Sequence, residues 1–224
     1  NSMRGAAYLS GLKEAIVVDV GGTTADFGHL RLGFPREANA VVHVGGVRTL
    51  FRMPDLISIG LGGGSHVDLG ATTIGPLSVG YRLTQQALVF GGETLTATDI
   101  AVAGGLLELG ERKRVVHLGA DTVRAVLRRA KEMIEEHVDR MKTGAGDVTL
   151  IAVGGGAFLV PDILQGVERV VRVEHGGCAN AVGAAIAQVS GEVDQVFQGT
   201  TRSEAIAAAR KLADRRAIEA GAAL

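Results

Sequence analysis

Two apolar runs in this 224-residue chain are each cut off by a cluster of glycines, and that pairing restricts the possible folds more than any other feature. Glu14 to Val20 (EAIVVDV) is short and rich in β-branched residues, and Gly21-Gly22 stops it. Val148 to Val153 is of the same kind and is stopped by Gly154-Gly155-Gly156. Runs of this length and composition read as buried strands. Strands of that sort need helices laid over them, and the chain offers several. Asp121 to Met141 is the clearest, with Val123, Val126, Leu127, Ala130, Ile134, Val138 and Met141 on one stripe and Arg and Glu opposite. Asp121 is its expected N-cap.

The remaining elements are read the same way. Asn1 to Leu12 is a short helix, Thr98 to Leu109 a second, and Pro161 the start of another. Asn180 to Val189 is an alanine-rich helix, and Ser203 to Ala220 a final amphipathic one capped by Ser203 or Thr201. Thr23 to Leu30, a segment around Ala40 to Val44, and Val170 to Val173 read as further strands. The alternation of strands and helices in the second half predicts an α/β fold. A chain of this length makes one domain, here taken as 1–224, with an insertion at 46–115 where most glycine clusters fall. Glycine is the compositional outlier, at 33 residues against 4% aromatic. Clustered glycine in such a chain points to tight turns where backbone closely approaches something, and phosphate is a common reason.

Bulk properties exclude several classes. The formal net charge of −1 calls for neither nucleic acid nor an anionic membrane as partner. No apolar run reaches the roughly 18 residues that span a bilayer, and no signal peptide is visible. One cysteine, Cys178, rules out a disulfide within the chain and fits a reducing, cytoplasmic setting. Beside an alanine-rich helix it reads as a buried, inert thiol. A start at Asn1 instead of Met suggests a fragment or a processed chain. The six histidines show no metal-ligand spacing.

The local chemistry centres on Asp19-Val-Gly-Gly-Thr-Thr-Ala-Asp26. Gly21 and Gly22 let the backbone turn tightly and present N–H groups to an anion. Thr23 and Thr24 add hydroxyl donors. Asp19, at the strand end, can hold a hydrated magnesium ion. The competing reading is an ordinary glycine hairpin, and the two carboxylates bracketing the turn favour a functional one. Gly154, Gly155 and Gly156 would let a flat ligand such as adenine or ribose lie against the backbone, though a plain tight connection looks the same. Gly62, Gly63, Gly64 and Ser65 with His66 could form another anion nest, and His66 reads as a loop histidine or a catalytic one. Thr98 or Asp99 is an expected N-cap, with a site role for Asp99 left open. Arg48 and Arg52 could meet phosphate or pair at the surface. Neither the P-loop nor the dinucleotide glycine fingerprint occurs.

VVDVGGTTADFG, GGVRTLFRMPDLISIGLGGGSHV, GPLSVGYRLTQQALVFGG, TLTATDIAVAGG, AVGGGAFLVPDIL and ANAVGAAIAQVSGEVD, in this order, resemble the hydantoinase/oxoprolinase family. The resemblance implies an actin-like ATPase (ribonuclease H-like) lobe with a mixed central sheet, flanking helices and a glycine-rich insertion. It implies ATP-dependent opening of a small cyclic amide, hydantoin or 5-oxoproline in type, by phosphorylation of its carbonyl. ATP and Mg2+ would be the cofactors. Gly21, Gly22, Thr23 and Thr24 would contact the β/γ-phosphates, Asp19 would organise magnesium, and Asp26 would support it from behind. Gly154 to Gly156 would face adenosine, with Gly62 to Ser65 and His66 on the substrate side. Such members usually carry a second DxGGT hairpin, so a missing N-terminal lobe or partner subunit is expected upstream of Asn1. Homo-oligomerisation stays open. A small-molecule kinase of the same superfold and a non-catalytic nucleotide-binding subunit are the alternatives.

Overall fold

The computed structural model describes residues 1–38 and 54–223, with backbone alone at His43–Val44 and Val47–Arg48. In chain order the elements are α1 (Ser2–Ser10), β1 (Ala15–Val20), β2 (Ala25–Arg31), β3 (Phe34–Pro35), β4 (His43–Val44), β5 (Val47–Arg48), β6 (Leu56–Ile59), β7 (Ser65–Asp68) and β8 (Thr73–Ser78). There follow α2 (Leu83–Gln86), α3 (Ala97–Ala103), α4 (Ala120–Met141), β9 (Val148–Val153), β10 (Val167–Arg172), α5 (Ala179–Ala185) and α6 (Arg202–Glu219). The start of the strand expected around Ala40 lies outside the described residues, as does Arg52, and of Arg48 only the backbone is described.

The two glycine-stopped runs are neighbours in one sheet. Its order is β10-β9-β1-β2-β3, and β6 also pairs with β2. β1 runs parallel to β9 and β9 parallel to β10, whereas β2 is antiparallel to β1, β3 and β6. The sheet is therefore mixed, with helices on both faces, as expected for an α/β fold.

Strand alternation sorts the apolar side chains into two cores. Ile16, Val18, Val20, Ala25, Phe27, Leu150 and Ala152 face α3 and the long stripe of α4. Ala15, Val17, Leu30, Ile151 and Val153 face α1 and Ala179 at the start of α5. On the second face the helices cross at glycine. A Cβ on Gly5 would lie 1.9 Å from the Ala179 carbonyl oxygen, and one on Gly183 2.0 Å from that of Asn1. Residues Asn1–Ala185 form one compact unit, and Ile186–Leu224 form another that contains α6.

Several boundaries differ from expectation for local reasons. α4 begins at Ala120 with Gly119 as N-cap, so Asp121 sits in the first turn, where its charge still suits the helix dipole. α3 is capped by Thr96, not by Thr98 or Asp99, and ends at Ala103 before Gly104-Gly105. No helix starts at Pro161, since a single 3-10 turn, Ala157–Leu159, is all that follows the glycines. α5 stops at Ala185, short of Val189. α6 is capped by Thr201, whose hydroxyl and Glu204 complete a capping box.

One histidine gives the fold a pH dependence. His29 on β2 has its ring Nδ1 3.4 Å from Arg36 Nη1, and Arg36 is paired with Asp55 at 2.6 Å. Burial first, then Arg36 and Arg31, hold its pKa below the ordinary value, against the opposing pull of Glu14 and Asp55. The unfolded chain thus binds a proton that the folded chain resists. Stability from this group is complete above the unfolded value of ~6.5 and declines as pH falls through it. His29→Gln is expected to flatten the fall in urea midpoint between pH 7.5 and pH 5.5; an unchanged slope would remove His29 as its source.

Candidate functional site

Three glycine segments, remote in sequence, meet at the turn between β1 and β2. The turn itself is closed by a hydrogen bond from the Gly21 N–H to the Thr24 carbonyl, 2.8 Å. Its flanks are in strict register, with Val20 opposite Ala25 and Asp19 opposite Asp26. Gly22, Thr23 and Thr24 at the tip are exposed, while Val20 and Ala25 beneath are buried. The bend is thus rooted in the core and open at its end.

The Gly60–Ser65 segment braces the turn from one side. The Gly63 N–H donates to the Gly21 carbonyl at 3.0 Å, and the Gly64 N–H to the Gly22 carbonyl at 2.7 Å. A Cβ on Gly62 would fall 2.5 Å from the Thr23 nitrogen, so only glycine allows this approach. The brace is itself pinned. The Ser65 hydroxyl accepts the Gly62 N–H at 2.8 Å, and the Thr98 hydroxyl donates to the Gly63 carbonyl at 2.8 Å. Ser65 is fully buried, so its hydroxyl serves the loop's own backbone. Ser78 closes the brace by donating to the Gly22 carbonyl at 3.2 Å.

The Gly154–Gly156 segment meets the turn from the other side. The Gly156 N–H donates to the Val20 carbonyl at 2.7 Å. Gly154 has φ of +90°, and a Cβ there would sit 2.3 Å from Asp19 Oδ1. Its N–H donates to the Gly176 carbonyl at 3.0 Å, which anchors the turn ahead of α5. Gly155 has open space around it.

The two carboxylates differ in their surroundings. Asp26 is engaged at both oxygens, by the Thr24 hydroxyl at 3.4 Å and by the Ser58 hydroxyl of β6. Asp19 is half-buried at the strand end and makes no hydrogen bond or ion pair among the described residues. A free carboxylate at a strand end can bind a metal through its waters. No group of at least three His, Cys, Asp or Glu side chains that could hold a metal occurs among the described residues. Any ion here would therefore keep most of its shell as water and phosphate oxygen, as magnesium does.

Other singled-out residues lie elsewhere. His66, expected on a loop, is the half-buried second residue of β7 and its backbone bridges to Thr96, but no hydrogen bond, ion pair or ring contact joins it to the hairpin among the described residues. Asp99 is fully buried, and its carboxylate accepts from the N–H groups of Val89 and Thr96 and from the Thr96 hydroxyl, each at 2.7 Å. That is a structural role. Cys178 is exposed, contrary to the buried thiol expected, because its 3-10 turn sits on the surface before α5. Sequence reasoning did not single out Ser58 or Ser78, and nothing in their local pattern marks contacts made across 32 and 56 residues.

Past Gly156 lies a pocket of about 720 Å³. Leu127, Arg128 and Lys131 of α4 form one wall, and Phe158, Leu159 and Pro161 the other. Its lining is largely apolar, with Arg124, Arg128, Lys131, Asp162 and Arg172 among it. Phe158 also reaches the brace, its ring carbon 3.6 Å from where a Cβ on Gly63 would stand.

Comparison with known proteins adds to this geometry. A family model described as Hydantoinase/oxoprolinase matches residues 2–113. Nucleotide-free acetone carboxylase, from work on ATP-dependent acetone carboxylation, aligns with a TM-score of 0.69 at 20% identity, over 94% of this chain and 35% of that one. The ATP-dependent caprolactamase of Pseudomonas jessenii aligns with a TM-score of 0.59 at 20% identity, over 96% and 37%. At such identity the likeness is one of fold, and this chain spans about a third of either structure's length. No curated protein matches by sequence.

Proposed function

We propose, from the premise that this chain belongs to the hydantoinase/oxoprolinase family, that it is one nucleotide-binding lobe of an ATP-dependent hydrolase that opens small cyclic amides. The observation that carries the reading is the convergence of three glycine segments on an exposed turn beside a free carboxylate. Fold likeness alone would not carry it.

In this reading the N–H groups of Gly22, Thr23 and Thr24 and the Thr23 hydroxyl bind the β- and γ-phosphates, while Gly21, whose N–H closes the turn onto the Thr24 carbonyl, lets the backbone approach them. Carbonyls of Val20, Gly21 and Gly22 are bonded from behind, which leaves the tip to a ligand. Asp19 would hold magnesium through its waters, and the ion would offset triphosphate charge. Asp26 fixes the Thr24 hydroxyl, and Ser58 fixes Asp26. Gly154 to Gly156 face the ribose, and the pocket between Leu127 and Phe158 receives the base. Phosphoryl transfer asks the protein for positioning and charge stabilisation more than covalent participation. Moving the phosphoryl group to the ring carbonyl makes a poor electrophile attackable by water. The acceptor ring would bind on the side of Gly62 to Ser65 and His66. A further lobe, supplied upstream or by a partner subunit, would complete the cleft.

Two measurements test this reading. Asp19→Asn is expected to weaken Mg-ATP binding on the order of tenfold or more, the scale of a lost charge-assisted contact. His66→Ala should change it little, and equal effects in calorimetry would sink the site map. Incubation with ATP, the complementing lobe and a five-membered cyclic amide should release free phosphate and the opened ring. A stable phosphorylated product would instead indicate a kinase.

A further inference from the structure

The three segments that form the hub carry almost no positive charge. Residues 15–28 and 148–162 contain no Lys or Arg, and residues 56–82 contain one, Arg82. Yet a triphosphate tail is strongly anionic, and transfer of its end group spreads further negative charge over the terminal oxygens. Backbone amides and hydroxyls supply partial charges only.

Arg82 is placed for that shortfall. It ends the 3-10 turn Gly80–Arg82, which Ser78 ties to the hairpin. Ser78 donates to the Gly22 carbonyl and accepts the Gly80 N–H at 3.0 Å. A Cβ on Gly80 would stand 3.8 Å from the Thr23 hydroxyl, at the exposed tip. Two residues along the same turn, Arg82 carries the one cationic side chain of residues 56–82. Its guanidinium is exposed, has no carboxylate partner among the described residues, and lies 5.7 Å from the centre of the Tyr81 ring. Tyr81 is itself 91% exposed, so the ring supports the cation without burying it.

We propose that Arg82 reads the terminal phosphate of the nucleotide held at the hairpin, pairing with its oxygens and neutralising the charge that develops there during transfer. The proposal rests on the nucleotide-binding reading of Asp19 to Thr24. A planar guanidinium suits phosphate oxygens in pairs, and Arg is the side chain best fitted to that geometry. Contact with the end group alone makes the residue selective for triphosphate over diphosphate.

Calorimetric titration of the whole chain with Mg-ATP and Mg-ADP separates the outcomes. Arg82→Gln is expected to weaken Mg-ATP roughly tenfold or more, the scale of a lost ionic hydrogen-bond pair. Mg-ADP affinity should stay within about twofold, and Arg82→Lys, which keeps charge without the fork, should fall between. Equal weakening of both nucleotides, or unchanged Mg-ATP binding in Arg82→Gln, overturns the role of Arg82 while leaving the hairpin site standing. A wild-type chain that binds neither nucleotide overturns the hairpin reading and Arg82 with it.

Discussion

Gly154→Ala is expected to abolish measurable Mg-ATP binding and to cost roughly 2–5 kcal/mol of stability, the sum of left-handed backbone strain and overpacking. Gly154 has φ of +90°, which an alanine side chain resists. Its added Cβ would also stand 2.3 Å from Asp19 Oδ1 and 2.4 Å from the Val20 carbonyl oxygen. Both neighbours belong to β1, which is parallel to β9 and cannot retreat without breaking that pairing. The Asp19 carboxylate is therefore the group that moves, and in the proposed site its position is what matters. Gly144→Ala is the matched control, since nothing lies within 4 Å of its added Cβ, its φ is not positive and it lies outside the proposed site. Thermal melting and nucleotide titration of the two variants side by side provide the measurement. If Gly154→Ala behaves like Gly144→Ala in both, the proximity of Gly154 to Asp19 does not hold in solution.

The second large effect is expected at the crossing of α1 and α5. Gly183→Ala would set a methyl group 2.0 Å from the Asn1 carbonyl oxygen and 2.9 Å from the Gly5 nitrogen. Gly5→Ala would do the same against Ala179, at 1.9 Å. These partners are backbone, not flexible side-chain ends, so relief requires the helices to part. Parting them uncovers Met3, Ala6 and Val17. A loss of about 1–3 kcal/mol for either variant follows from overpacking alone, read as a lower urea midpoint with an unchanged m-value. The double variant should lose less than the sum, because one separation of the helices accommodates both methyl groups. Strict additivity would mean that the two glycines do not share one crossing. Nucleotide affinity of the folded fraction should hardly change, since this crossing lies on the sheet face away from α3 and α4.

Some of this was legible in the sequence, and the reasons are physical. β1, β9 and α4 announce themselves through periodicity, because each buries a regular pattern of side chains within one continuous segment. The Asp19–Asp26 hairpin is legible for a similar reason, with a glycine turn at the end of a β-branched run and carboxylates at matching positions. Gly62 to Gly64 stand out as a cluster, but their task as a brace depends on Gly21 and Gly22, about 40 residues earlier. No local pattern encodes such a partner. Asp99 shows the converse. A carboxylate near a helix start reads as either cap or site, and burial against Val89 and Thr96 decides for structure. At Cys178 the alanine-rich surroundings suggest burial, whereas its short turn follows β10 out to the surface.

The carbonyls of Val20, Gly21 and Gly22 each already accept a bond from Gly156, Gly63 or Gly64. A bend held at three successive peptides has few alternative shapes to surrender when an anion docks. Ordering a free loop would cost about 1–2 kcal/mol per residue at that moment, whereas here the entropy is lost during folding. In the proposed site the socket would exist before its guest arrives, so docking at this bend should carry the heat of new contacts with little conformational penalty to set against it.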